Sequence, residues 1–356
     1  MIKKICIVIP SLIGGGAEKN ALLMASELSA LGHIVTVLYF YKAHDNFDFN
    51  NQIDFICIGK KNNPVADIIN IRKAIKDYRP SCVISFLDVI NIYTYFAILN
   101  IRGIRFIANE RSNPFEHLPK QRFGSFKLAL LGHVYRHADK VLSNSKFTAN
   151  QLVNKFKINS NKVDFLYNPI NIEGETSSLR EGGKILAVGR LSKEKDYPTL
   201  LKAVHHLVNK LKLTDFTLTI AGKGPLEDEL KQLAVDLGIV QYINFIGFSN
   251  DIPSLMRSHD IYVLSSLYEG FPNTLLEAMS FGMAVIATDC VSGPSEVVID
   301  GKNGFLIDIN DSKSLAIYIE KLLSNRTMRE TFAHNAINSL NYFSFEAYVK
   351  KMRNFF

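Results

Sequence analysis

Along the chain, short apolar runs alternate with segments in which apolar residues recur at the spacing of a helix. Short apolar runs of strand length, such as Ile5–Ile9 and Cys82–Phe86, are followed by segments whose apolar residues recur at helical spacing, such as Ala17–Leu31. That first helical segment stops at Gly32, a residue typical of helix ends. Strands that alternate with helices in this way predict an α/β fold, in which a parallel sheet carries helices on both faces.

Two series of this kind follow one another along the chain. The first series has predicted strands at residues 5–9, 34–39, 55–58, 82–86, 105–109, 140–143 and 163–166, and helices at 17–31, 64–78, 89–100 and 146–157. The second series has predicted strands at 185–188, 217–221, 243–246, 261–264 and 284–287, and helices at 198–212, 226–237, 312–323 and 327–340, with one more after residue 272. Residues 170–183 are polar and have no period, which marks a domain boundary. We therefore expect two doubly wound, Rossmann-like domains, residues 1–172 and 183–341.

Length and composition agree with two globular domains. The chain has 356 residues, of which 47% are hydrophobic, and this is enough to give each domain a core. No apolar run reaches the roughly 18 to 20 residues that a membrane-spanning helix needs. The four cysteines stand far apart in strand-like runs and predict buried, reduced thiols in a cytosolic protein: Cys6, Cys57, Cys82 and Cys290.

The net charge of +7 is concentrated in the first half of the chain. Residues 1–170 contain 22 Lys and Arg against 12 Asp and Glu, whereas residues 171–356 contain 19 against 22. The first half is therefore expected to meet an anionic partner. Nucleic acid, an anionic membrane surface and a pyrophosphate-bearing acceptor all satisfy this charge.

The stretch SSLYEGFPNTLLEAMSFG, residues 265–282, joins an apolar run to a helical pattern. Pro272 suits the first turn of that helix, because its fixed φ is helical and its missing N–H would be unpaired there. We expect Asn273 and Thr274 to leave backbone donors unpaired at the helix start, which would suit an anion. Glu269 and Glu277 flank the turn. A ligand with phosphate in the middle and hydroxyls at both ends, such as a nucleotide sugar, fits this arrangement.

The nonapeptide EGFPNTLLE, residues 269–277, resembles the paired-glutamate signature of the family 4 retaining glycosyltransferases. These enzymes have the GT-B fold, in which two Rossmann-like domains face a central cleft and a final helix, here residues 342–356, crosses back onto the first domain. The resemblance implies that Glu269 binds hydroxyls of the donor sugar and Glu277 those of the ribose. It also places Phe271, Pro272, Asn273 and Thr274 at the donor.

Three further turns follow predicted strands of the second domain. Arg190 and Lys195 come after the first of these strands, where open α/β sheets bind ligands, and two cations there would neutralise a departing diphosphate. The family carries the same Gly-Arg-Leu motif and downstream lysine. Gly222 follows another strand, where a donor-binding turn and an ordinary turn between strand and helix are equally favoured. Phe248 follows a strand where relatives hold the base.

The turn of Gly14, Gly15 and Gly16 closes the first strand of the chain. It lacks the G-x-G-x-x-G spacing of a dinucleotide site, because residue 19 is lysine, and no acidic residue follows the second strand. NAD is therefore not expected. The resemblance implies that the amides of Gly15 and Gly16 approach the leaving diphosphate, and a tight turn is the structural alternative.

The acceptor side is assigned to the first domain. Glu110 and Arg111 close a predicted strand there, and many relatives carry histidine where this chain has Arg111. In residues 118–140, a single ideal helix would bring Arg122, Arg136 and Lys140 into one basic stripe beside an apolar face. Such a helix would dock on an anionic membrane or hold the pyrophosphate of a lipid-linked acceptor. The alternative is a core-facing helix with a solvated basic edge.

The chain carries no Asp-x-Asp metal motif at a plausible sugar site, and Asp311 is expected to cap a helix. The resemblance therefore implies a retaining, metal-independent transferase without a cofactor. Its expected donor is a UDP-hexose or UDP-N-acetylhexosamine, and its expected acceptor is a lipid-linked or growing glycan in bacterial surface polysaccharide synthesis. We expect it at the inner face of the plasma membrane, without nucleic acid. A nucleotide-sugar 2-epimerase of the same fold and a basic nucleic-acid-binding protein are the alternatives.

Overall fold

The computed structural model describes residues 2–12, 16–42, 52–59, 63–173 and 183–356. It divides into two compact units, Met1–Tyr167 and Asn168–Phe356. We call these the first unit and the second unit.

The first unit alternates strands with helices along most of its length. Its strands are β1 (Lys4–Leu12), β2 (Ile34–Lys42), β3 (Ile53–Cys57), β4 (Cys82–Phe86), β5 (Arg105–Glu110), β6 (Lys140–Ser143) and β7 (Val163–Phe165). Its α-helices are α1 (Gly16–Ala30), α2 (Pro64–Tyr78), α3 (Asp88–Ile98), α4 (Pro114–His117), α5 (Gly124–His137) and α6 (Lys146–Phe156). The strands form one parallel sheet in the order β3-β2-β1-β4-β5-β6-β7.

The second unit repeats this construction. Its strands are β8 (Lys184–Val188), β9 (Thr217–Ala221), β10 (Ile243–Gly247), β11 (Ile261–Leu264), β12 (Ala284–Thr288) and β13 (Phe305–Ile307). Its α-helices are α7 (Tyr197–Asn209), α8 (Glu227–Asp236), α9 (Ile252–Ser258), α10 (Asn273–Ser280), α11 (Pro294–Val297), α12 (Ser312–Ser324), α13 (Arg326–Ser339) and α14 (Phe345–Arg353). The sheet is parallel, in the order β10-β9-β8-β11-β12-β13.

These sheets confirm the predicted class, two doubly wound α/β units. All five residues of β4 and of β12 are buried, because helices cover both faces of a parallel sheet. Asp311 caps α12 as predicted, and its carboxylate accepts from the amides of Lys313 and Ser314. The pattern did not predict α9, α11 or β13, each of which is too short to show a period. The expected return of residues 342–356 onto the first domain stays a prediction.

The predicted single helix over residues 118–140 is wrong. Phe123 takes a left-handed conformation with φ of 59°, and α5 begins only after it, at Gly124. A side chain at Gly124 would place its Cβ 1.8 Å from the carbonyl oxygen of Leu118, so the chain folds back tightly at this point. Arg122 consequently precedes the helix and Lys140 lies in β6, so the basic stripe does not form.

The predicted burial of the cysteines is confirmed for three of the four. Cys6, Cys82 and Cys290 are buried, and burial raises the pKa of Cys82 to about 11 and that of Cys290 to about 12. Cys57 is exposed, because it ends β3 and β3 is the edge strand of its sheet. Among the described residues, no helix is both long enough and apolar enough to cross a membrane.

Candidate functional site

The two central strands of the second unit, β8 and β11, lie side by side although their chain positions are far apart. In a doubly wound sheet such a switch of strand order opens a crevice at the carboxyl ends of the strands, where ligands bind. Two loops meet at this crevice. One follows β8 and runs from Gly189 to Lys195, and the other follows β11 and runs from Ser265 to Glu269.

Lys195 and Glu269 form an ion pair across this crevice. The ammonium of Lys195 donates to Oε1 of Glu269 at 2.7 Å, and the hydroxyl of Ser266 donates to the same oxygen at 2.6 Å. The side chains are 20% and 10% exposed, so the charges are held close together at the edge of solvent. Sequence reasoning assigned the two residues to different parts of the donor and did not foresee that they bind each other.

Hydrogen bonds between the two loops hold this pair in position. The hydroxyl of Ser265 donates to the carbonyl oxygen of Lys195 at 2.8 Å, and the amide of Leu267 donates to that of Glu194, also at 2.8 Å. Asp196, with φ of 44°, turns the chain from a short 3-10 turn into α7. The loops therefore form one connected support, which fixes the ammonium and the carboxylate relative to β8 and β11.

A third turn supports Glu269 from the side of β12. The hydroxyl of Ser292 donates to the carbonyl oxygen of Glu269, and the amide of Glu269 donates to that of Val291 at 3.3 Å. Gly293 has a φ of 110°, and a Cβ there would lie 2.4 Å from Cδ of Pro272. Glycine is thus needed where this turn meets the signature segment, and we assign it a structural role.

The helix start after Glu269 differs in detail from the prediction. Pro272 lies just before α10, with ψ of 70°, and not within its first turn. The amide of Asn273, expected to be unpaired, donates to the carbonyl oxygen of Phe271 at 3.0 Å. The Phe271 ring is buried and packs 6.0 Å from that of Phe343, so Phe271 has no ring surface to offer a ligand.

Thr274 and Glu277 stay close to the crevice. The hydroxyl of Tyr262, on β11, donates to Oγ1 of Thr274 at 2.7 Å. Burial raises the pKa of Tyr262, and the negative charges of Glu269 and Glu277 raise it further. The Tyr262 hydroxyl also lies 3.4 Å from the carbonyl oxygen of Val188, the last residue of β8, so Thr274 lies beside the end of that strand. Glu277 itself is half-buried, one turn into α10.

The other residues predicted at the donor are placed as follows. Arg190 is exposed, and among the described residues none bonds to its guanidinium. Phe248 is 69% exposed beyond the end of β10. A Cβ at Gly222 would lie 1.9 Å from the carbonyl oxygen of Gly189, so contact between the turns after β9 and β8 already requires glycine there. Gly16 is exposed at the start of α1 in the first unit, and Gly15 lies outside the described residues.

On the predicted acceptor side, Glu110 is fully buried within the first unit. Its carboxylate accepts from the Tyr135 hydroxyl at 2.7 Å, the Ser112 hydroxyl at 2.9 Å and the amides of Arg111 and Ser112. With every contact internal, Glu110 has a structural role, which corrects its assignment to the acceptor. Arg111 is also buried, and its guanidinium donates to Oδ1 of Asn109 at 3.4 Å.

The remaining basic residues predicted there have separate positions. Arg136 donates to the carbonyl oxygen of Phe156 at 3.0 Å, and Lys140 donates to that of Asn161 at 3.3 Å. Both side chains thus tie parts of the first unit together. Arg122 is exposed in the turn before α5.

One ionisable pair of the first unit was missed. Nε2 of His117 lies 3.1 Å from Oδ2 of Asp88, and its Nδ1 lies 2.8 Å from the carbonyl oxygen of Asn113. Burial acts against both charges, but the mutual contact and the backbone bonds outweigh it, so the pKa of His117 is raised and that of Asp88 is lowered. The only sequence signal was the position of Asp88 directly after the strand in ISFLD, residues 84–88.

Among the described ranges, no group of three His, Cys, Asp or Glu side chains could hold a metal ion. Metal independence stays a prediction.

Two family models match consecutive parts of the chain. The model described as Glycosyltransferase Family 4 covers residues 14–173, and the model described as Glycosyl transferases group 1 covers residues 172–339. A Campylobacter jejuni protein named N-acetylgalactosamine-N,N'-diacetylbacillosaminyl-diphospho-undecaprenol 4-alpha-N-acetylgalactosaminyltransferase is 28% identical over 353 residues, with 94% of each chain covered. An uncharacterized glycosyltransferase of Methanocaldococcus jannaschii is 30% identical over 279 residues, which is 73% of this chain and 70% of the relative.

Solved structures resemble the whole chain. The UDP complex of HepE from Anabaena has a TM-score of 0.83 at 20% identity and covers 99% of both chains. The lipopolysaccharide outer core galactosyltransferase WaaB has a TM-score of 0.78 at 21% identity and covers 99% of this chain and 98% of its own. The fold is therefore GT-B, and the class of protein is a glycosyltransferase. The chain belongs to the group 1, family 4 glycosyltransferases, as its EGFPNTLLE segment indicated.

Proposed function

We propose that this chain transfers a hexose or N-acetylhexosamine from a UDP-sugar, with retention, to a lipid-linked or growing glycan in polysaccharide synthesis. The observation that carries the proposal is the Lys195–Glu269 ion pair at the β8/β11 switch, supported by Ser266. Two similarities support the substrates. HepE was solved with UDP and with UDP-glucose, and the Campylobacter jejuni relative is named for a diphospho-undecaprenol acceptor.

In this mechanism the ion pair changes partners when the donor binds. The diphosphate attracts the ammonium of Lys195 and the exposed guanidinium of Arg190, and the carboxylate of Glu269 then accepts hydrogen bonds from the donor sugar. Glu277 binds the ribose. The two cations act most strongly on the charge that develops as the nucleotide leaves, so they stabilise the transition state more than the bound substrate.

The reaction proceeds by attack on the face of the sugar from which UDP departs. The bond between the anomeric carbon and the phosphate oxygen breaks, and the acceptor oxygen forms its bond to that carbon. The proton of the acceptor hydroxyl passes to an oxygen of the departing phosphate. This sequence needs no enzyme-bound sugar intermediate, cofactor or divalent ion.

A donor panel tests this proposal. We expect UDP-sugars, and not other nucleotide sugars, to raise Tm, because a donor at about 100 times its Kd adds about 2.7 kcal/mol to the free energy of unfolding. Glu277→Gln should raise the donor KM about 10-fold or more, since a hydrogen bond to a charged group contributes about 1.5 to 3 kcal/mol.

Transfer should persist in EDTA with retained anomeric configuration, which NMR of the product determines. Unchanged donor affinity in Glu277→Gln, or activity that returns only when Mg²⁺ or Mn²⁺ is added, would contradict the proposal. A donor that is epimerised without any acceptor would favour the 2-epimerase instead.

We further propose that the turn before α5 docks the enzyme on the inner, anionic face of the plasma membrane. Phe123 in this turn and Phe126 in the first turn of α5 are 67% and 69% exposed. The guanidinium of Arg122 lies 5.0 Å from the centre of the Phe123 ring, and Lys127 lies one turn into α5 beside Gln121. Exposed aromatic rings next to cations suit an interfacial contact with acidic lipids. We call these four residues, Arg122, Phe123, Phe126 and Lys127, the basic–aromatic turn.

Replacing the two cations of this turn by serine should weaken binding to vesicles of phosphatidylglycerol and phosphatidylcholine about 30-fold, at roughly 1 kcal/mol for each charge. The matched control is Arg136→Ser with Lys140→Ser, which removes equal charge at residues bonded to the backbone of the first unit. Sedimentation with the vesicles measures the effect. If the control loses as much binding as the test variant, net charge and not this turn governs docking.

A further inference from the structure

Two exposed histidines lie one turn apart near the end of α5, in the first unit. His133 and His137 are four residues apart, so they share one face of the helix, and their ring centres are 4.3 Å apart with the planes inclined at 35°. Histidines at this spacing on a helix bind one zinc ion together in the H-E-x-x-H motif. The present segment, HVYRH, has the spacing of that motif without its glutamate.

The ring of His137 is already oriented as metal-bound histidines are. Its Nδ1 lies 2.8 Å from the carbonyl oxygen of His133. A carbonyl oxygen only accepts, so Nδ1 carries a proton, and the lone pair of the neutral ring is on Nε2. Metal-bound histidines almost always donate their second N–H to a carbonyl or carboxylate in this way, which fixes the ring and makes the coordinating nitrogen more basic.

Tyr95, on the neighbouring helix α3, supplies a third donor atom. Its hydroxyl lies 3.4 Å from Nε2 of His133. Two ligand atoms of a tetrahedral zinc ion, each about 2.0 to 2.1 Å from the metal, are about 3.3 Å apart, so the two atoms already have the spacing of ligands to one ion. The Tyr95 ring packs against Phe96, with ring centres 5.4 Å apart, and against Phe106, at 6.4 Å, and these contacts hold the hydroxyl in place.

The end of α5 favours a cation. His137 is the last residue of the helix, where the backbone carbonyls form the negative end of the helix dipole. Arg136, the basic residue beside His137, donates to the carbonyl oxygen of Phe156 at 3.0 Å, so its charge is held toward the end of α6. Imidazole nitrogens suit Zn²⁺, whereas Mg²⁺ and Ca²⁺ prefer carboxylate, carbonyl and water oxygens.

From these contacts we propose that His133, His137 and Tyr95 bind one Zn²⁺ ion, with Nε2 of each histidine and the Tyr95 hydroxyl oxygen as ligands and water in the fourth position. The ring centres of two imidazoles on one tetrahedral ion are about 5 Å apart, so the two exposed rings need to separate by only about 1 Å. The ion would link α3 to α5. With three protein donors it binds less tightly than a structural site with four, and it takes no part in the proposed transfer.

Calorimetric titration of ZnCl₂ into metal-free protein that carries no histidine tag tests the site. We expect one equivalent to bind, and MgCl₂ to give no binding heat. His133→Gln and His137→Gln should each raise the Kd at least about 10-fold, because a single imidazole loses the second ring held beside it. Tyr95→Phe keeps the ring packing and removes only the oxygen, so it should weaken binding in the same direction by a smaller factor.

Two variants serve as matched controls. His334→Gln removes one exposed histidine from α13, which has no histidine three or four residues away, and Cys57→Ser removes an exposed thiol that could itself bind zinc. Both should keep the wild-type Kd. Circular dichroism without zinc should be the same for all the variants, since the changed side chains do not lie in the core.

NMR signals of the histidine rings locate the ion. The signals that are missing from the spectra of His133→Gln and His137→Gln should be those that Zn²⁺ shifts in the wild type. The proposal is overturned if Zn²⁺ does not bind, if both histidine variants keep the wild-type Kd, or if Cys57→Ser abolishes binding. An unchanged Kd in Tyr95→Phe would refute the tyrosine ligand and, with it, the link between α3 and α5.

Discussion

Replacing Arg190 or Lys195 by alanine is expected to lower kcat by about 10²- to 10³-fold, the usual effect of removing a group that stabilises transition-state charge. Both side chains lie at the carboxyl end of β8, one exposed and one bound to Glu269. In the proposed mechanism negative charge grows on the departing diphosphate, so the loss should appear in kcat more than in the donor KM. Single-turnover transfer from a saturating UDP-sugar measures it.

Lys193→Ala is the matched control for both variants. Lys193 belongs to the same short turn as Lys195, is exposed, and should keep its turnover rate. Lys195→Ala also leaves the carboxylate of Glu269 without its cation, so rates should be compared at a temperature well below the Tm of that variant. If Arg190→Ala and Lys195→Ala both turn over at the Lys193→Ala rate, the diphosphate is not bound at the β8/β11 crevice.

Glu110→Ala is expected to lower the free energy of unfolding by about 3 kcal/mol, since an unsatisfied buried polar group costs roughly 1 to 3 kcal/mol. The change leaves the hydroxyl of Tyr135 and the amides of Arg111 and Ser112 without their acceptor in the interior of the first unit. For a unit of this size, Tm should fall by about 6 to 12 °C, at roughly 2 to 4 °C for each kcal/mol. Thermal unfolding followed by circular dichroism provides the measurement.

Glu110→Gln separates the hydrogen bonds from the charge. Glutamine keeps an oxygen for the Ser112 and Arg111 donors but turns an NH2 group toward the Tyr135 hydroxyl, so its Tm should fall by less than that of Glu110→Ala. Burial raises the pKa of Glu110, which makes ionisation costlier in the folded than in the unfolded chain, so the wild type loses stability as pH rises through the folded pKa. Glu110→Gln should lack that loss. Equal Tm values for Glu110→Ala and Glu110→Gln at every pH would show that the carboxyl oxygens stabilise nothing.

The sequence predicts the fold well because strands and helices that are buried on one or both faces have apolar residues at regular spacing. Strand-like and helix-like spacing can therefore be told apart. The strand bounds Cys82–Phe86 and Thr217–Ala221 are the same in pattern and structure, since each run is apolar and followed by a turn. The prediction fails where contacts between distant parts of the chain determine the local structure. Cys57 is apolar in pattern yet exposed at an edge, and Gly124 breaks a helix that an ideal wheel would continue.

The candidate site was predictable to a similar extent. Strand ends of one parallel sheet share an edge, so Lys195 and Glu269 could be placed in the same crevice, but their ion pair depends on side-chain directions that spacing does not contain. The pair of Asp88 and His117 was missed because 29 residues separate the two, with no motif to join them. The burial of Glu110 could not be predicted from the sequence. A carboxylate at the end of a strand has the same sequence pattern whether its side chain faces a ligand or, as here, a buried tyrosine.

The same winding order occurs twice in this chain, as β3-β2-β1-β4-β5 and again as β10-β9-β8-β11-β12. Each sheet consequently has its own switch point, and the loops around one are encoded separately from those around the other. Selection can therefore alter the residues after β1, β2 and β4 without disturbing the loops after β8 and β11. If the donor binds at the second switch point, as we propose, acceptor specificity can change while donor binding is conserved, which favours the exchange of specificities by recombination between relatives.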